Sequence, residues 1–354
     1  MLNKDFYYIE KGLCYNRLMA NDFKNILAIN FGGIGDEIFF LPTLISLKKE
    51  FPNSKITLAL EPRSKSVKDL TDIIDDLILI DVKANGKLKK YQELFKLILK
   101  ARAGKFDIVI SSGGNKLISL LLFMTGIKER YGYYTGELSR TLLTRAIPLN
   151  KNQYACDMYH DLVSALTSNK TELPEINVLP QEKIPNSVLI HPGVSKLSVQ
   201  KGMIKTITAE VWADLINLLM ERGKHVILAG GPDDAECIEK IRSLVVPKNL
   251  LFSDFYGKTK SLKDLAVLIG KAELFVCSDS APLHVAVAMK TRTYAIFGPT
   301  DDKKLIPQSE LVTAVKASDD CKIKPCLWEH RQTTCDCLKC LQISALDIVN
   351  KMVL

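Results

Sequence analysis

Short apolar runs that end in glycine-rich turns and lead into helical periodicity recur in both halves of this 354-residue chain. Strands alternating with helices in this way form parallel sheets covered on both faces, so the fold is expected to be α/β. In the first half, Asn25–Phe31 reads as a buried strand, followed by Gly32-Gly33-Ile34-Gly35-Asp36 and an apolar helix ending near Phe51-Pro52. Lys55–Leu60 reads as a strand, Leu88–Arg102 as an amphipathic helix, and Phe106–Ser111 as a further strand ending at Gly113-Gly114. The second half restarts at Ser187–His191, which enters His191-Pro192-Gly193. Thr208 is placed to cap a helix whose Trp212, Leu215, Ile216 and Leu219 fall on one face, and Gly223 is the expected stop. Strands follow at His225–Ala229, ended by Gly230-Gly231-Pro232, and at Leu274–Cys277, leading to Asp279.

Between the halves, residues 167–186 hold Ser, Asn, Lys, Glu and three prolines, Pro174, Pro180 and Pro185, with little periodicity. That segment reads as a linker, giving domains 1–175 and 176–354. Each is of ordinary domain size. Two Rossmann-like domains facing across a cleft is the architecture this alternation supports.

Residues 279–301 carry the most chemistry. Asp279 and Ser280 open an Ala-rich helix that leads into the strand Thr293–Phe297, which ends in Gly298-Pro299-Thr300-Asp301. Backbone amides at a helix start favour an anion, and loops at the carboxyl ends of strands are where open α/β sheets hold ligands. Two such loops in one domain suggest a phosphate-bearing ligand between them. By contrast, Gly33-Ile34-Gly35 lacks the third glycine of a dinucleotide fingerprint, because Ile38 stands there.

Asp279-Ser280-Ala281-Pro282-Leu283-His284 and Phe297-Gly298-Pro299-Thr300-Asp301 together resemble the signature of the heptosyltransferase-like glycosyltransferases, glycosyltransferase family 9. Ala281 replaces the usual glycine of that pattern. The resemblance extends over Ile26–Ile56, Val188–Asp301 and, more weakly, from Phe106 to Gly132. It implies the GT-B fold and transfer of a sugar from a nucleotide diphosphate to an acceptor hydroxyl. The donor it implies is ADP-heptose, and the acceptor a lipopolysaccharide-core or related glycan or glycolipid. Other nucleotide sugars, a protein acceptor, and a non-catalytic nucleotide-sugar binder remain alternatives at this stage.

The segment from Gly35-Asp36-Glu37 to Pro42-Thr43-Leu44 is similar to the entry helix of that family. The resemblance makes Asp36 the general base, a role worth roughly 10²–10⁴-fold in rate; the structural alternative is that Asp36 only caps its helix. Glu37, where the family has an aliphatic residue, is a second carboxylate beside it. Gly193, Val194 and Ser195 form the small-residue loop that the family places next to its donor. Lys205, seven residues before Trp212, matches the phosphate-binding lysine, with Lys196 and Lys201 as rivals. Gly230-Gly231-Pro232-Asp233-Asp234 and Glu236 resemble the ribose-binding segment, and the choice among Asp233, Asp234 and Glu236 stays open. Asp279 is expected to orient the sugar or cap its loop, with the amides from Ser280 through Ala281 and Pro282 to Leu283 on the phosphate. His284, inside an apolar helix, reads as a packed core histidine. Acceptor choice is assigned to first-domain loops such as Asn115–Lys116 and Arg130–Glu137.

No Asp-x-Asp pair occurs. Charge neutralisation by Lys205 and backbone dipoles is therefore expected, with no cofactor beyond the donor. Cys14, Cys156, Cys237 and Cys277 are dispersed as reduced thiols would be, whereas five cysteines crowd between Cys321 and Cys340. Their spacing matches no common zinc pattern, and a structural metal there is left open beside free thiols. The net charge of +8 could draw an anionic acceptor or membrane surface, but no basic and aromatic cluster points to nucleic acid. Met1–Lys24 lacks a secretory apolar core, and the longest uncharged apolar run, Leu117–Ile127, is too short to span a bilayer. A cytoplasmic location follows as the expectation, with peripheral contact at the inner membrane face left open. The final segment, Ile343–Leu354, is expected to cross back to the first domain, as in GT-B proteins.

Overall fold

The computed structural model describes residues 22–246, 250–318 and 321–354. The chain divides into two compact units, Met1–Glu175 and Ile176–Leu354. Cys14 and the reading of the amino-terminal segment over residues 1–21 lie outside the described residues.

The first unit runs β1 (Asn25–Ile29), α1 (Ile34–Glu50), β2 (Lys55–Leu60), β3 (Asp76–Leu79), α2 (Lys87–Ala103), β4 (Ile108–Ser111), α3 (Ile118–Met124), β5 (Glu129–Tyr133), α4 (Glu137–Leu142), β6 (Arg145–Ile147) and α5 (Ala155–His160). Its six strands are all parallel, in the order β3-β2-β1-β4-β5-β6. Ile26, Leu27, Ala28 and Ile29 are all buried, so β1 is covered on both faces, as central strands of parallel sheets are. Residues Glu37–Leu47 of α1 are buried on every side, which explains an apolar run broken by a single carboxylate. Pro42 sits inside that helix, and its carbonyl accepts the Ser46 hydroxyl at 2.8 Å.

The second unit runs β7 (Ile184–His191), α6 (Lys196–Gln200), α7 (Ala209–Glu221), β8 (His225–Leu228), α8 (Ala235–Leu244), β9 (Phe252–Asp254), α9 (Leu262–Lys271), β10 (Ala272–Ser278), α10 (Ala281–Ala288), β11 (Arg292–Phe297), α11 (Asp302–Leu305), β12 (Val312–Lys316) and α12 (Ala345–Asn350). The parallel sheet has the order β12-β11-β10-β7-β8-β9. Counted within each unit, both sheets follow the strand order 3-2-1-4-5-6 of a doubly wound Rossmann sheet. Two Rossmann-like sheets are the α/β architecture that the GT-B resemblance implies.

Trp212, Leu215, Ile216 and Leu219 of α7 are fully buried in the second unit's core. Thr208 occupies the N-cap position, yet its side chain makes no capping bond. The other end of α7 is more tightly specified. Gly223 has φ +77°, with Gly223 N–H donating to Met220 O and Lys224 N–H to Leu219 O, the paired bonds of a Schellman stop.

Two expectations are corrected. The irregular linker ends before Ile184, so Pro185 and Asn186 belong to β7. The carboxy-terminal helix does not leave its unit: Ile348 and Val349 join the core that holds Trp212, and Val353 N–H donates to Tyr294 OH at 2.8 Å. Apolar residues at 345, 348, 349 and 352 complete the apolar face of α7, which explains where the helix settles.

Gly223→Ala should lower unfolding free energy by about 1–2 kcal/mol, because an L-residue is strained at that φ although open space surrounds the position. Urea titration followed by circular dichroism measures it, and an unchanged midpoint would contradict the assignment of the stop to Gly223.

Candidate functional site

In the second unit the strand order reverses between β7 and β10, the place at the carboxyl ends of the strands where open sheets of this kind bind ligands. The loop after β7 carries His191 to Ser195, and the loop after β10 carries Asp279 and Ser280. Thr206 Oγ1 and Ser278 Oγ lie 2.8 Å apart, and each is within reach of Pro192 O, at 2.8 and 2.9 Å. One hydroxyl donates to the carbonyl and the other to its neighbour, since each has a single proton. Trp212 Nε1–H adds a bond to Thr206 Oγ1 at 3.1 Å. The ends of β7 and β10 are thereby fastened to the segment before α7.

That fastening delivers Lys205. Its Nζ stands 3.2 Å from Asp279 Oδ2 and 5.2 Å from the centroid of the Trp328 ring. Asp279, 2% exposed, also accepts the Thr300 hydroxyl on Oδ2 at 2.8 Å. The loops after β10 and β11 therefore meet at one carboxylate oxygen. Lys196 and Lys201 are exposed on and after α6, and it is Lys205 that the structure brings to Asp279.

The helix start at α10 holds fewer free amides than its sequence position suggests. Ser280 is the N-cap, Ala281 the first helical residue, Pro282 has no N–H, and Leu283 N–H is donated to Ser280 O at 3.0 Å. The amides of Ser280 and Ala281 are the two that remain for a ligand. This corrects the expectation that all four positions contribute. His284, one turn in, is buried; burial pulls its imidazole down to about 4, with the Asp279 charge opposing and Lys205 reinforcing the shift. It is neutral near pH 7.

The three acids after β8 separate cleanly. Asp234 is buried, its Oδ2 accepts Gly231 N–H at 2.7 Å, and it lies 3.9 Å from His191 Nε2. A Cβ on Gly193 would fall 1.9 Å from Asp234 Oδ1, so this carboxyl requires glycine in the β7 loop. Asp234 is thus committed to packing. Asp233 and Glu236 are exposed, and Asp233 Oδ2 accepts Lys196 N–H at 3.1 Å at the start of α6. Gly193 and Val194 are buried, leaving Ser195 as the exposed member of that loop. At the carboxyl end of β11 a cavity of about 420 Å³ is lined by Thr300, Asp301, Asp302, Lys303, Lys316 and Lys324, among others.

In the first unit, Asp36 is exposed at the start of α1, and its Oδ2 accepts Gly33 N–H at 2.8 Å. A Cβ on Gly32 would lie 2.2 Å from Asp36 Cβ, so the turn needs glycine there. Glu37 points the other way and is 1% exposed. Burial first, and the Asp36 charge second, hold its carboxyl well above the ordinary range, opposed by the Asn30 amide at 3.2 Å from Oε2. Asn30 also takes the Ser112 hydroxyl on Oδ1 at 2.5 Å, joining the ends of β1 and β4. Of the adjacent carboxylates, Asp36 is the one that solvent reaches.

Sequence reasoning missed Trp328, Thr206 and Ser278 as parts of the site, and it placed Thr300 in a ligand-holding loop without giving it a role. The cysteine-rich segment supplies more than Trp328: Cys326 and Leu327 amides donate to Pro299 O at 2.9 and 3.0 Å, and Thr334 N–H donates to Gly202 O at 2.8 Å. It ties the loop after β11 to the loop bearing Lys205. None of the eight described cysteines is bridged, although Cys335 and Cys337 sulfurs are 3.5 Å apart. Among the described residues no group of three or more His, Cys, Asp or Glu is arranged to hold a metal. Cys326 and Cys340 are buried while Cys337 is exposed.

A family model, Glycosyltransferase family 9 (heptosyltransferase), matches residues 94–335. Lipopolysaccharide heptosyltransferase 3 of Escherichia coli K12 is 26% identical over 287 residues, covering 75% of this chain and 80% of that protein. A family 9 glycosyl transferase structure from Veillonella parvula aligns with TM-score 0.71 and 22% identity over 93% of this chain and 96% of that one. The E. coli ADP-heptose lipopolysaccharide heptosyltransferase II structure gives TM-score 0.69 at 18% identity over 92% and 96%.

The Asp234–His191 pair has a pH signature. Burial raises Asp234 to about 6 from its ordinary 3.8, so its contribution to stability falls as pH rises between those values. Burial lowers His191 to about 4 from 6.5, so its contribution rises over that interval, and the two oppose each other. His191 and the similarly lowered His284 titrate in wild type and Asp234→Asn alike, so the difference between the two proteins isolates Asp234. Relative to wild type, Asp234→Asn should gain about 2 kcal/mol of stability from about pH 4 to 6.5, read from urea midpoints; a constant difference would overturn the assignment.

Proposed function

Since the chain belongs to glycosyltransferase family 9 and is a glycosyltransferase, we propose that it transfers heptose from ADP-heptose to a lipopolysaccharide-core or related glycan acceptor, with inversion and without a metal. The observation that carries this reading is the meeting of Lys205, Asp279 and Thr300 at the switch point of the second unit. Lys205 would hold the donor diphosphate together with the amides of Ser280 and Ala281, while Asp279 and Trp328 hold the lysine in place. Asp233 or Glu236 would take the ribose, because Asp234 is already committed to Gly193 and Gly231.

In the reaction the acceptor oxygen forms a bond to the anomeric carbon as the bond from that carbon to the β-phosphate oxygen breaks. ADP departs with the electron pair, and the acceptor proton passes to Asp36. Negative charge grows on the leaving diphosphate, where a fixed ammonium and oriented N–H groups stabilise it most. One displacement inverts the anomeric centre. The lack of Asp-x-Asp agrees with neutralisation by Lys205. A cytoplasmic location is supported by eight unbridged cysteines, the state favoured in a reducing compartment.

Transfer from ADP-heptose to a delipidated core oligosaccharide tests this directly. Asp36→Asn should lose about 10²–10⁴-fold in kcat while calorimetry finds donor affinity nearly intact. Lys205→Met should weaken donor binding as well as turnover. Full turnover in Asp36→Asn would remove the proposed base, and wild-type donor affinity in Lys205→Met would remove the proposed diphosphate site.

A further inference from the structure

Helix α2 has two apolar faces, and among the described residues only one is covered. Leu97, Ile98 and Ala101 are buried in the first unit's core, with Leu94 packed beside them. A surface helix needs no more than that. Yet Leu88, Tyr91, Phe95 and Leu99 project outward, from 51% exposed at Leu99 to 73% at Leu88. At 100° per residue these four fall within a stripe about 80° wide along the whole helix.

The stripe continues onto a second helix. Arg102 Nε donates to Met124 O at 3.1 Å, fastening the end of α2 to the end of α3. Leu117, Leu120, Phe123 and Met124, on and just before α3, are exposed. Arg130 lies over the Phe123 ring at 5.7 Å from its centroid, at the margin of this apolar surface. Contiguous exposed apolar surface of this kind marks an interaction site.

Charge identifies the partner. Helix α2 carries six lysines and arginines against one acid, Glu93, whose carboxylate is committed to Lys96 at 3.2 Å and to Asp81 N–H at 3.0 Å. Lys89, Lys96 and Lys100 form a second stripe about 120° round the helix from the centre of the apolar one. An apolar stripe flanked by lysines, whose stems are apolar and whose tips seek anionic headgroups, is the pattern of a helix lying in a membrane interface. No helix among the described residues is long and apolar enough to cross a bilayer, so this contact is parallel to the surface.

We propose that the outer face of α2 and α3 docks on an anionic phospholipid bilayer. The inference rests on the proposed function only for its purpose: α3 follows the loop after β4, whose Ser112 hydroxyl is bonded to Asn30 at the end of β1, the strand that leads to Asp36. A glycolipid acceptor would then be met where it is embedded.

Co-sedimentation of the full chain with vesicles of phosphatidylcholine alone, or of phosphatidylcholine with phosphatidylglycerol, tests this. Wild-type protein should pellet with the anionic vesicles and progressively less as salt is raised. Phe95→Ser with Leu99→Ser, and separately Lys89→Glu with Lys96→Glu and Lys100→Glu, should each reduce partition by more than about tenfold. Both should keep the wild-type melting temperature and wild-type turnover on the delipidated oligosaccharide, because the altered side chains are exposed and remote from the reacting groups. Equal recovery in the supernatant with both vesicles overturns the proposal, as does pelleting that neither variant reduces. A dimer in light scattering that Phe95→Ser with Leu99→Ser dissolves would assign this face to a second copy instead. Failure on vesicles with turnover intact sinks the docking surface alone, whereas lost turnover on the soluble acceptor by wild type sinks the functional reading.

Discussion

Asp279 Oδ2 receives both the Lys205 ammonium and the Thr300 hydroxyl, and the second unit's loops are arranged around that meeting. A carboxylate 2% exposed is costly without partners; removing one member of such a pair typically costs about 3–5 kcal/mol. Each partner arrives from a different segment. Lys205 is held by the Thr206, Ser278 and Pro192 cluster, and Thr300 comes from the turn after β11. Trp328 comes from the cysteine-rich segment that bonds to Pro299 and Gly202. The lysine is therefore fixed before any ligand arrives, the preorganisation that makes a charge effective against developing negative charge.

The two units use one turn for different ends. After β1, Asp36 Oδ2 accepts Gly33 N–H at 2.8 Å; after β8, Asp234 Oδ2 accepts Gly231 N–H at 2.7 Å. In both, a glycine pair precedes an acid three residues on, so the local physics is the same. Position in the sheet separates them. β1 stands at the point where the strand order reverses, and its acid remains open to solvent. β8 stands one strand away, and the β7 loop covers its acid with Gly193. Sequence alone presents two equivalent acids; topology leaves one open to solvent and buries the other.

Much of this was legible because long-range order is written in local signals. The central strands, the Gly223 stop and the Lys205-to-Trp212 spacing each depend on a few adjacent residues. The edge strands β3, β6, β9 and β12 were not anticipated: they have three to five residues and no regular alternation. Trp328 was invisible as a site residue because its partner lies 123 positions away, and Thr300, although in a loop read as ligand-holding, gave no sign of its bond to Asp279 21 positions back. The cysteines drew attention through their chemistry, while the bonds that matter in that segment are made by backbone amides and by Thr334. Asp233, Asp234 and Glu236 were indistinguishable until burial divided them.

The two departures from the family pattern are where physical chemistry makes them least consequential. Glu37 adds a carboxyl beside Asp36, but it is turned into the interior, where burial first and the Asp36 charge second hold it well above the ordinary carboxylate range, so Asp36 is the carboxyl that solvent reaches at the end of β1. Ala281 replaces a glycine, yet it keeps its N–H, and it is Pro282 that removes an amide from the helix start. In the proposed donor site that loss would be offset by charge: Lys205 lies against Asp279 at the same helix start, and an ammonium acts on a diphosphate over a longer range than a single amide dipole. A site with fewer amides and a pinned lysine therefore leans on Lys205 more than one with a full set of helix-start donors would.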